Sequence, residues 1–442
     1  LALSEDVRAA TGKAELAPGE TRQFAVALVI AHGTAEAYAR LSERLGKPVR
    51  RIHGQVVDAD GRPAPTARLL LSDDKDALNQ FVDTDGRFDF PVPADTKQLI
   101  VRDLGRPDLT VSIPDGDAPL TLRVENAAGL AVKITDEEGR PLPCKVRFVG
   151  VEGTPTPNLG PVVRARGAEN VYQSENGRFT QQLPPGTYRV IVTRGPEYDH
   201  IERIVDIRPG RIATLEGRLS RVIDSKGWIS ADFHNHSTPS GDNYCGTDDR
   251  LINLAAEGVE FAPATEHNRI YEWTPHIERL GLAPFLATCT GMELTGKGPH
   301  LNAFPLTPVP HRQNNGGPEW NPDPRIAALT LRQLPGDVAR RWVQLNHPDV
   351  IRNFNDENGD GKADGGYRGL PDFINAAELF GDGILDAPSF NWNANEKPAN
   401  AQAWPFAWLQ MLNRGIRIWT IAVSDAHATV GSAVGGWRTY LR

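Results

Sequence analysis

Histidine and carboxylate residues recur at the ends of apolar runs in the C-terminal half of the chain. His234 and His236 follow the run at 228–233 and are separated by one residue. Side chains two apart on a strand share one face, so the two imidazoles can converge on one point while Asn235 faces away. An isolated pair of this kind is more often exposed or half-buried than bound to metal. The interpretation as a metal site therefore depends on the residues downstream.

Later apolar runs also begin or end at residues able to bind a metal ion. The runs are predicted strands at 228–233, 259–264, 285–292, 301–306, 342–345, 373–377 and 416–423. Imidazoles and carboxylates gathered at one place without a cation would carry costly buried charge, so the set together favours a divalent metal site. The residues at these positions are Asp242, His267, Glu293, His300, His347, Asp425 and His427.

Helical stretches alternate with these runs. A helix is predicted at 248–257, which has an apolar face and is followed by Gly258, and another at 401–414, which is followed by Gly415. Glycine is the common residue after a helix end. Seven strands with helical crossovers predict a parallel α/β fold, most simply a barrel. Active sites of such barrels lie at the carboxyl ends of the strands, where the polar residues fall here.

The preceding region consists of short alternating segments broken by Gly, Pro and Asp, which is typical of β-sandwiches. One pair of turns occurs twice: Gly61-Arg62-Pro63 and Gly86-Arg87-Phe88 return 78 and 91 residues later as Gly139-Arg140-Pro141 and Gly177-Arg178-Phe179. Asp-Gly and Asn-Gly pairs favour hairpins because both tolerate positive φ. We therefore predict four segments: a remnant of an N-terminal β-rich domain at 1–48, sandwiches at 49–124 and 125–222, and a barrel at 223–442.

The composition excludes several classes of protein. The 442 residues are 24% charged and 40% hydrophobic, with a net charge of −8, a mean hydropathy of −0.39 and no apolar run of membrane-spanning length. The acidic balance argues against a nucleic-acid partner. Three cysteines without a CxxC pair give neither a disulfide framework nor a zinc ribbon. Without a GxSxG elbow or a P-loop, we expect a small-molecule substrate attacked by water. The oligomeric state stays open.

Five motifs, HNHSTPSGD, TEHN, GMELTGKGPH, NHP and SDAH, occur in this order. Together they resemble the PHP (polymerase and histidinol phosphatase) superfamily of metal-dependent hydrolases. The resemblance implies a distorted (β/α)7 barrel with a trinuclear metal centre. The acid of the first motif stands at Asp242, one residue later than in many members. The implied ligand sets are His234, His236, Glu293 and Asp425 for one ion, Glu293, His300 and His347 for a second, and Asp242, His267 and His427 for a third.

The β-sandwiches ahead of the barrel add a narrower resemblance. Their Gly-Arg turns and the strand after Pro-Pro-Gly-Thr-Tyr are similar to carboxypeptidase-regulatory-like modules. The whole arrangement, with HLNAFPL, is similar to the carbaryl-hydrolase branch of the superfamily. That branch is implied to cleave carbamate, ester or amide bonds, whereas the wider superfamily cleaves phosphoesters. Nitrogen and oxygen ligands suit two or three Zn, Mn, Fe or Co ions. Such ions lower the pKa of bound water towards neutrality.

Two nearby residues are candidates for a catalytic role. Glu378 ends the sixth run and would either act as general acid or base or orient a metal ligand. Lys297, between Glu293 and His300, would meet an oxyanion or else is a solvated surface cation. A metal-containing binding protein without catalysis is the alternative to an enzyme. The filled ligand positions argue against it.

A separate motif, DxNxDGxxD, has the oxygen spacing of an EF-hand-like calcium loop. Tyr367 stands where an EF-hand has its bidentate Glu, so any affinity is modest and a solvated acidic turn is the alternative. About millimolar calcium outside cells suits a weak site. Together with the sandwiches, this motif predicts an extracytoplasmic location. The candidate calcium ligands are Asp356, Asn358, Asp360, Lys362 and Asp364.

Overall fold

The computed structural model describes residues 28–72, 78–297, 299–346, 370–379, 412, 415, 417–432 and 434–442. These residues form two compact units with separate hydrophobic cores. The first comprises residues up to 103 together with 107–125, and the second comprises 104–106 together with residues from 126 onward. Among the described residues, none of the helices has the length and apolarity that crossing a bilayer requires. The architecture is β-rich, with several sheets and few helices.

The first unit is a β-sandwich with one helix. Helix α1 (Thr34–Arg44) places Ala35 in the core of the sandwich. Phe88, Phe90 and Val92 alternate with more exposed residues and are buried, as expected of a strand with one face on a core. The strands are β1 (Val49–Val57), β2 (Arg68–Leu70), β3 (Asn79–Phe81), β4 (Arg87–Pro93), β5 (Gln98–Arg102), β6 (Leu109–Ser112) and β7 (Leu120–Arg123), in sheets ordered β4-β1-β7 and β3-β2-β5-β6.

The second unit begins with another sandwich of the same topology. In each sandwich the first strand pairs antiparallel with the fourth and parallel with the seventh. The strands are β8 (Gly129–Thr135), β9 (Cys144–Val151), β10 (Val171–Ser174), β11 (Arg178–Gln182), β12 (Gly186–Thr193), β13 (Ile201–Ile207) and β14 (Ile212–Arg218), in sheets ordered β11-β8-β14 and β10-β9-β12-β13.

The repeated turns have the same geometry in both sandwiches. Asp58 and Asp136 each donate the backbone N–H to the carbonyl four residues later. Their side chains each accept from the N–H groups two and four residues later. Gly61 and Gly139 lie at φ of 81° and 80°. The sequence repeat is therefore also a structural repeat.

The rest of the second unit is mixed α/β. A five-stranded sheet ordered β16-β17-β18-β19-β20 lies beside a two-stranded pair of β15 and β21. The run at 259–264 contributes isolated bridges instead of a strand, with Phe261 bridged to Ala231 and to Ala287. The elements are β15 (Ile229–Ala231), α2 (Thr247–Ala256), α3 (Thr274–Leu280), β16 (Met292–Leu294), β17 (His300–Phe304), α4 (Pro324–Gln333), β18 (Trp342–Asn346), β19 (Ala376–Leu379), β20 (Trp419–Ala422) and β21 (Thr439–Leu441), with 3-10 turns at Gln313–Gly316, Val338–Arg340 and Leu370–Asp372.

The prediction that the strands are all parallel is wrong at β17. This strand pairs antiparallel with β16 and β18, whereas the pairs β18–β19 and β19–β20 are parallel. Residues 295–299 alone link β16 to β17, and a parallel connection needs a dozen residues or more. The reversal puts His300, the first residue of β17, opposite Asn346 at the end of β18.

Candidate metal centre

Backbone pairing between loops brings the candidate ligands together. His234 and His236 follow β15, and Asp425 follows β20. The N–H of Asp425 donates to the carbonyl of His234 at 3.0 Å, and the N–H of His236 donates to the carbonyl of Ala426 at 3.2 Å. Two loops far apart in sequence are thereby locked side by side.

The most tightly gathered donor atoms come from these two loops. His234 Nε2 lies 2.9 Å from His236 Nε2, and Asp425 Oδ1 lies 3.3 and 3.0 Å from the two nitrogens. The two carboxylate oxygens of Glu293 lie 3.4 Å from His234 Nε2 and 3.6 Å from His236 Nε2. Atoms about 2.1 Å from one shared ion lie about 3.0–3.4 Å apart. The spacing of the atoms from His234, His236 and Asp425 therefore matches a single coordination sphere.

Hydrogen-bond partners assign the proton on each imidazole. His234 Nδ1 lies 2.7 Å from the carboxylate of Glu378, which only accepts, so this nitrogen donates. His236 Nδ1 lies 3.0 Å from Ser240 Oγ, whose own proton goes to Glu266 at 2.6 Å, so this nitrogen donates as well. In neutral rings, both Nε2 atoms then present lone pairs to each other. Such an arrangement requires a positive charge between them.

The surrounding charges place that positive charge on His234. Burial alone lowers the pKa of His234. The negative charges of Asp425, Glu378 and Glu293 outweigh burial and raise the pKa of His234 well above its usual value. Burial dominates at His236 and lowers its pKa. A proton held by His234 thus lies where a bound cation would lie.

Glu293 lies between two pairs of imidazoles, His234 with His236 and His267 with His300, and these residues together with Asp425, Asp242 and His427 are called the cluster below. Burial would raise its pKa, but the neighbouring imidazoles outweigh burial and lower the pKa well below its usual value. Its carboxylate lies 2.5 Å from His267 Nδ1 and 3.2 Å from His300 Nδ1. Asn346 Nδ2 donates to the same carboxylate at 2.8 Å. Glu293 is therefore placed to join neighbouring ligand sets.

A second group of donor atoms lies nearer the surface. The ligand atoms of His236, His267 and His427 all lie within 4.8 Å of one another. Asp242 Oδ2 lies 3.2 Å from His267 Nε2 and 3.6 Å from His427 Nε2. The Asp242 side chain is 59% exposed, so it forms the outer edge of this group.

The two candidate catalytic residues lie in different surroundings. Glu378 is completely buried and accepts hydrogen bonds from His234 Nδ1 and, at 2.8 Å, from Gln344 Nε2. It contacts the His234 nitrogen that faces away from His236, which is the position of a residue that orients a ligand. Lys297 is exposed in the loop after β16.

Sequence reasoning missed a layer of polar residues behind the ligands. Glu266 is buried and accepts from Ser240 Oγ and Trp273 Nε1. Arg250 on α2 is fully buried, and it donates from Nε to the carbonyl of His236 and from Nη2 to that of Ala426, both at 2.9 Å. The sequence did contain a signal for Arg250, because an arginine on the apolar side of a helix that directly follows a ligand motif indicates a buried polar contact.

The donor set fits divalent transition ions, because it offers imidazole nitrogen and carboxylate oxygen with convergent lone pairs. Eight of the nine predicted ligands lie among the described residues, and His347 lies outside them. The predicted calcium loop at 356–364 also lies outside the described residues and stays a prediction.

No protein-family model and no curated protein sequence matches the chain. Similar solved structures include a two-domain protein of Bacteroides vulgatus ATCC 8482 containing a predicted PHP-like metal-dependent phosphoesterase. It is 18% identical with a TM-score of 0.28, over 48% of this chain and 58% of that one. Shaft pilin SpaA of Lactobacillus rhamnosus GG is 13% identical with a TM-score of 0.24, over 40% of this chain and 100% of that one.

The Bacillus anthracis TIE protein is 17% identical with a TM-score of 0.16, over 44% of this chain and 37% of that one. The chain therefore spans only part of the length of the Bacteroides and Bacillus proteins. These identities and TM-scores are too low to assign an activity.

Proposed function

We propose that the protein is a metal-dependent hydrolase whose cluster binds two or three divalent transition ions, such as Zn, Mn or Fe. The observation that supports this proposal is the convergence of the Nε2 atoms of His234 and His236 with the carboxylates of Glu293 and Asp425. Imidazole and carboxylate gathered in this way, with their other atoms tied to neighbours, form a preorganised site for a cation.

We assign roles to the residues from their contacts. When bound, such ions polarise a carbonyl or phosphoryl oxygen and lower the pKa of water towards neutrality. Glu378 and Ser240 hold the rings of His234 and His236 with Nε2 facing inward. Glu293 joins the ligand sets. His300 contacts the carboxylate of Glu293 at the edge of the cluster. Its side chain is 19% exposed, so a substrate can reach it.

We propose a neutral acyl substrate, with an ester, carbamate or amide bond. The described residues place six carboxylates and the guanidinium of Arg250 in or directly behind the cluster, and two or three divalent ions would bring four or six positive charges. The net charge is then close to zero, which favours a neutral substrate over a dianionic phosphate. A phosphomonoester or phosphodiester is the alternative. The six carboxylates are Asp232, Asp242, Glu266, Glu293, Glu378 and Asp425.

The proposal extends to the fold and its setting. Bridges join Ala231 to Phe261, Phe261 to Ala287, and Asn235 to Ala426. Together with the five-stranded sheet, they support a closed seven-stranded barrel of the PHP type, and the resemblance to the carbaryl-hydrolase branch supports the acyl substrate. The two sandwiches support an extracytoplasmic location.

The deciding experiment is elemental analysis of the purified chain beside the His234→Ala and Glu293→Ala variants. We expect two or three equivalents of transition metal, with less in both variants. The loaded protein is then assayed with matched aryl acetate, aryl carbamate and aryl phosphate. Turnover of the first two supports the acyl proposal, and turnover of the phosphate alone supports the alternative. Metal without any turnover would indicate a binding protein, and well-folded protein that takes up no metal would overturn the proposal.

A further inference from the structure

The segment after β20, which contains Asp425, His427 and Thr429, is hydrogen-bonded to the second sandwich. Thr429, two residues past His427, is buried, with 6% of its surface exposed. Its N–H donates to the carbonyl of Val162 at 2.7 Å. Its hydroxyl is shared between the carbonyls of Val162 and Arg164, each at 2.8 Å. Val162 and Arg164 belong to the loop between β9 and β10 of the sandwich.

The carbonyl of Thr429 is bound as well. It accepts from Nε2 of Gln173, on β10 of the sandwich, at 3.2 Å, and from Nδ2 of Asn253, on α2, at 3.4 Å. Gln173 is 1% exposed. Every polar group of Thr429 is therefore engaged, and the second sandwich supplies most of the partners.

The sandwich loop is itself fixed against the helix that follows the first ligand motif. The N–H of Ala165 donates to Asp249 Oδ1 at 2.8 Å. Ala165 is 1% exposed and belongs to the same hydrophobic cluster as Leu251 and Leu254 of α2. The loop can thus transmit a fixed position to Thr429, because a packed contact has little freedom to shift.

The other side of the segment is held by Arg250, which donates to the carbonyls of Ala426 and Ala428. His427 lies between these anchors, and Asp425 directly precedes them at a φ of 47°. Positive φ is uncommon for residues with a side chain, although Asp adopts it more readily than most, and the neighbouring contacts help to hold it. The orientation of Asp425 and His427 thus depends on both anchors.

From these contacts we infer that the second β-sandwich is a structural part of the metal centre. Thr429 is the positioning residue through which the loop at 162–165 orients Asp425 and His427. This inference rests on the proposed function, since it concerns ligands of the proposed ions. It gives the sandwich a role that a spacer module would not have.

The test is Co²⁺ titration of the full chain after chelation, followed by visible absorption and calorimetry. Thr429→Val removes the hydroxyl bonds and keeps the shape, and we expect Co²⁺ affinity to fall roughly tenfold, as for other residues that orient ligands. Thr429→Ser restores the hydroxyl, and we expect affinity within about twofold of wild type. Thr288→Val is the matched control, since Thr288 Oγ1 donates to the carbonyl of Ala262 at 2.7 Å, away from the segment.

The inference is overturned if Thr429→Val binds Co²⁺ as wild type does, if Thr288→Val loses as much affinity, or if Thr429→Ser gives no rescue. Gln173→Met removes only the donor to the Thr429 carbonyl and serves if Thr429→Val folds poorly. We expect a loss of about threefold, and unchanged affinity again counts against the inference. If the wild-type chain itself binds no metal, the proposed function fails and the inference fails with it. If the wild type binds Co²⁺ and Thr429→Val binds it equally well, only the inference fails.

Discussion

The carboxylate of Glu378 accepts a hydrogen bond from Nδ1 of His234 at 2.7 Å, and both side chains are completely buried. Gln344 donates to the same carboxylate oxygen at 2.8 Å and fixes its orientation. The bond holds Nδ1 of His234 as a donor to Glu378, so that Nε2 faces His236 and the carboxylate of Asp425. A residue on β19 thereby determines how a ligand after β15 is presented.

Glu378→Gln is expected to weaken metal binding by about tenfold to a hundredfold, because a neutral amide holds the ring less firmly and makes it less basic. Excess metal should restore most of the turnover. The measurement is competition against a chelator, followed by kinetics at saturating metal. Glu319→Gln, a change at an exposed position, is the control.

A general acid or base at Glu378 would behave differently. Saturating metal would leave turnover low, and one limb of the pH–rate profile would disappear. That outcome would contradict the orienting role.

Metal uptake is expected to release protons at neutral pH. The charges around His234 raise its pKa despite burial, so without metal the ring stays protonated there. A metal ion takes neutral imidazole, so binding must expel that proton, and affinity should rise with pH until His234 is deprotonated. Calorimetry in two buffers of different ionisation enthalpy counts the released protons. Equal heats in both buffers at pH 7 would show that His234 is already neutral.

Much of the site was predictable because its chemistry follows local spacing. Residues at i and i+2 of a strand share a face, which predicted that His234 lies beside His236, whereas the place of Asp425 was implied by the family resemblance. The turns at Gly61 and Gly139 were predictable for the same reason, since positive φ is a local demand that glycine satisfies.

The features that sequence did not determine depend on distant contacts. The direction of β17 is an exception, because the link at 295–299 is too short for a parallel crossover and this shortness is visible in the sequence. The roles of Glu378 and Arg250 depend on neighbours 144 and 176 residues away, which no local pattern encodes. From the sequence alone, a carboxylate at the end of a strand, such as Glu378, could contact either the substrate or the imidazole nitrogen of a metal ligand that faces away from the metal.

The turn glycines of the second sandwich offer a matched pair. Gly139 and Gly177 have φ of 80° and 72°, so an added Cβ strains both backbones similarly. At Gly139 it would meet nothing within 4 Å, whereas at Gly177 it would lie 2.5 Å from the carbonyl oxygen of Ile134. We expect Gly139→Ala to cost about 1 kcal/mol and Gly177→Ala about 2–4 kcal/mol.

Hydrogen exchange of peptides that cover β8 measures this difference, because opening of the sandwich exposes its backbone amides. Faster exchange in Gly177→Ala than in Gly139→Ala is the expected result. Equal exchange would mean that the turn relaxes without loss.

The ion pair of Arg438 with Glu197 joins the second sandwich to the α/β region of its unit. The two groups are 3.2 Å apart, with 4% and 3% of their side chains exposed. The Tyr440 hydroxyl also donates to Glu197. Glu197→Gln keeps the shape but leaves the buried guanidinium without a counter-charge, so we expect a loss of about 3–5 kcal/mol in the free energy of unfolding.

Asp206→Asn is the control, because Asp206 pairs with Arg208 at an exposed position, where about 0.5 kcal/mol or less is at stake. Urea unfolding followed by tryptophan fluorescence suits both variants, since the buried Trp273 reports on the α/β region. A similar loss in both variants would remove the special role of burial. The double variant Glu197→Leu with Arg438→Met should recover much of the lost stability, because two apolar side chains leave no charge unpaired. If the double variant is no more stable than Glu197→Gln, the penalty arises from packing or from lost hydrogen bonds, such as that from Arg438 to the carbonyl of Glu257, instead of from the unpaired charge.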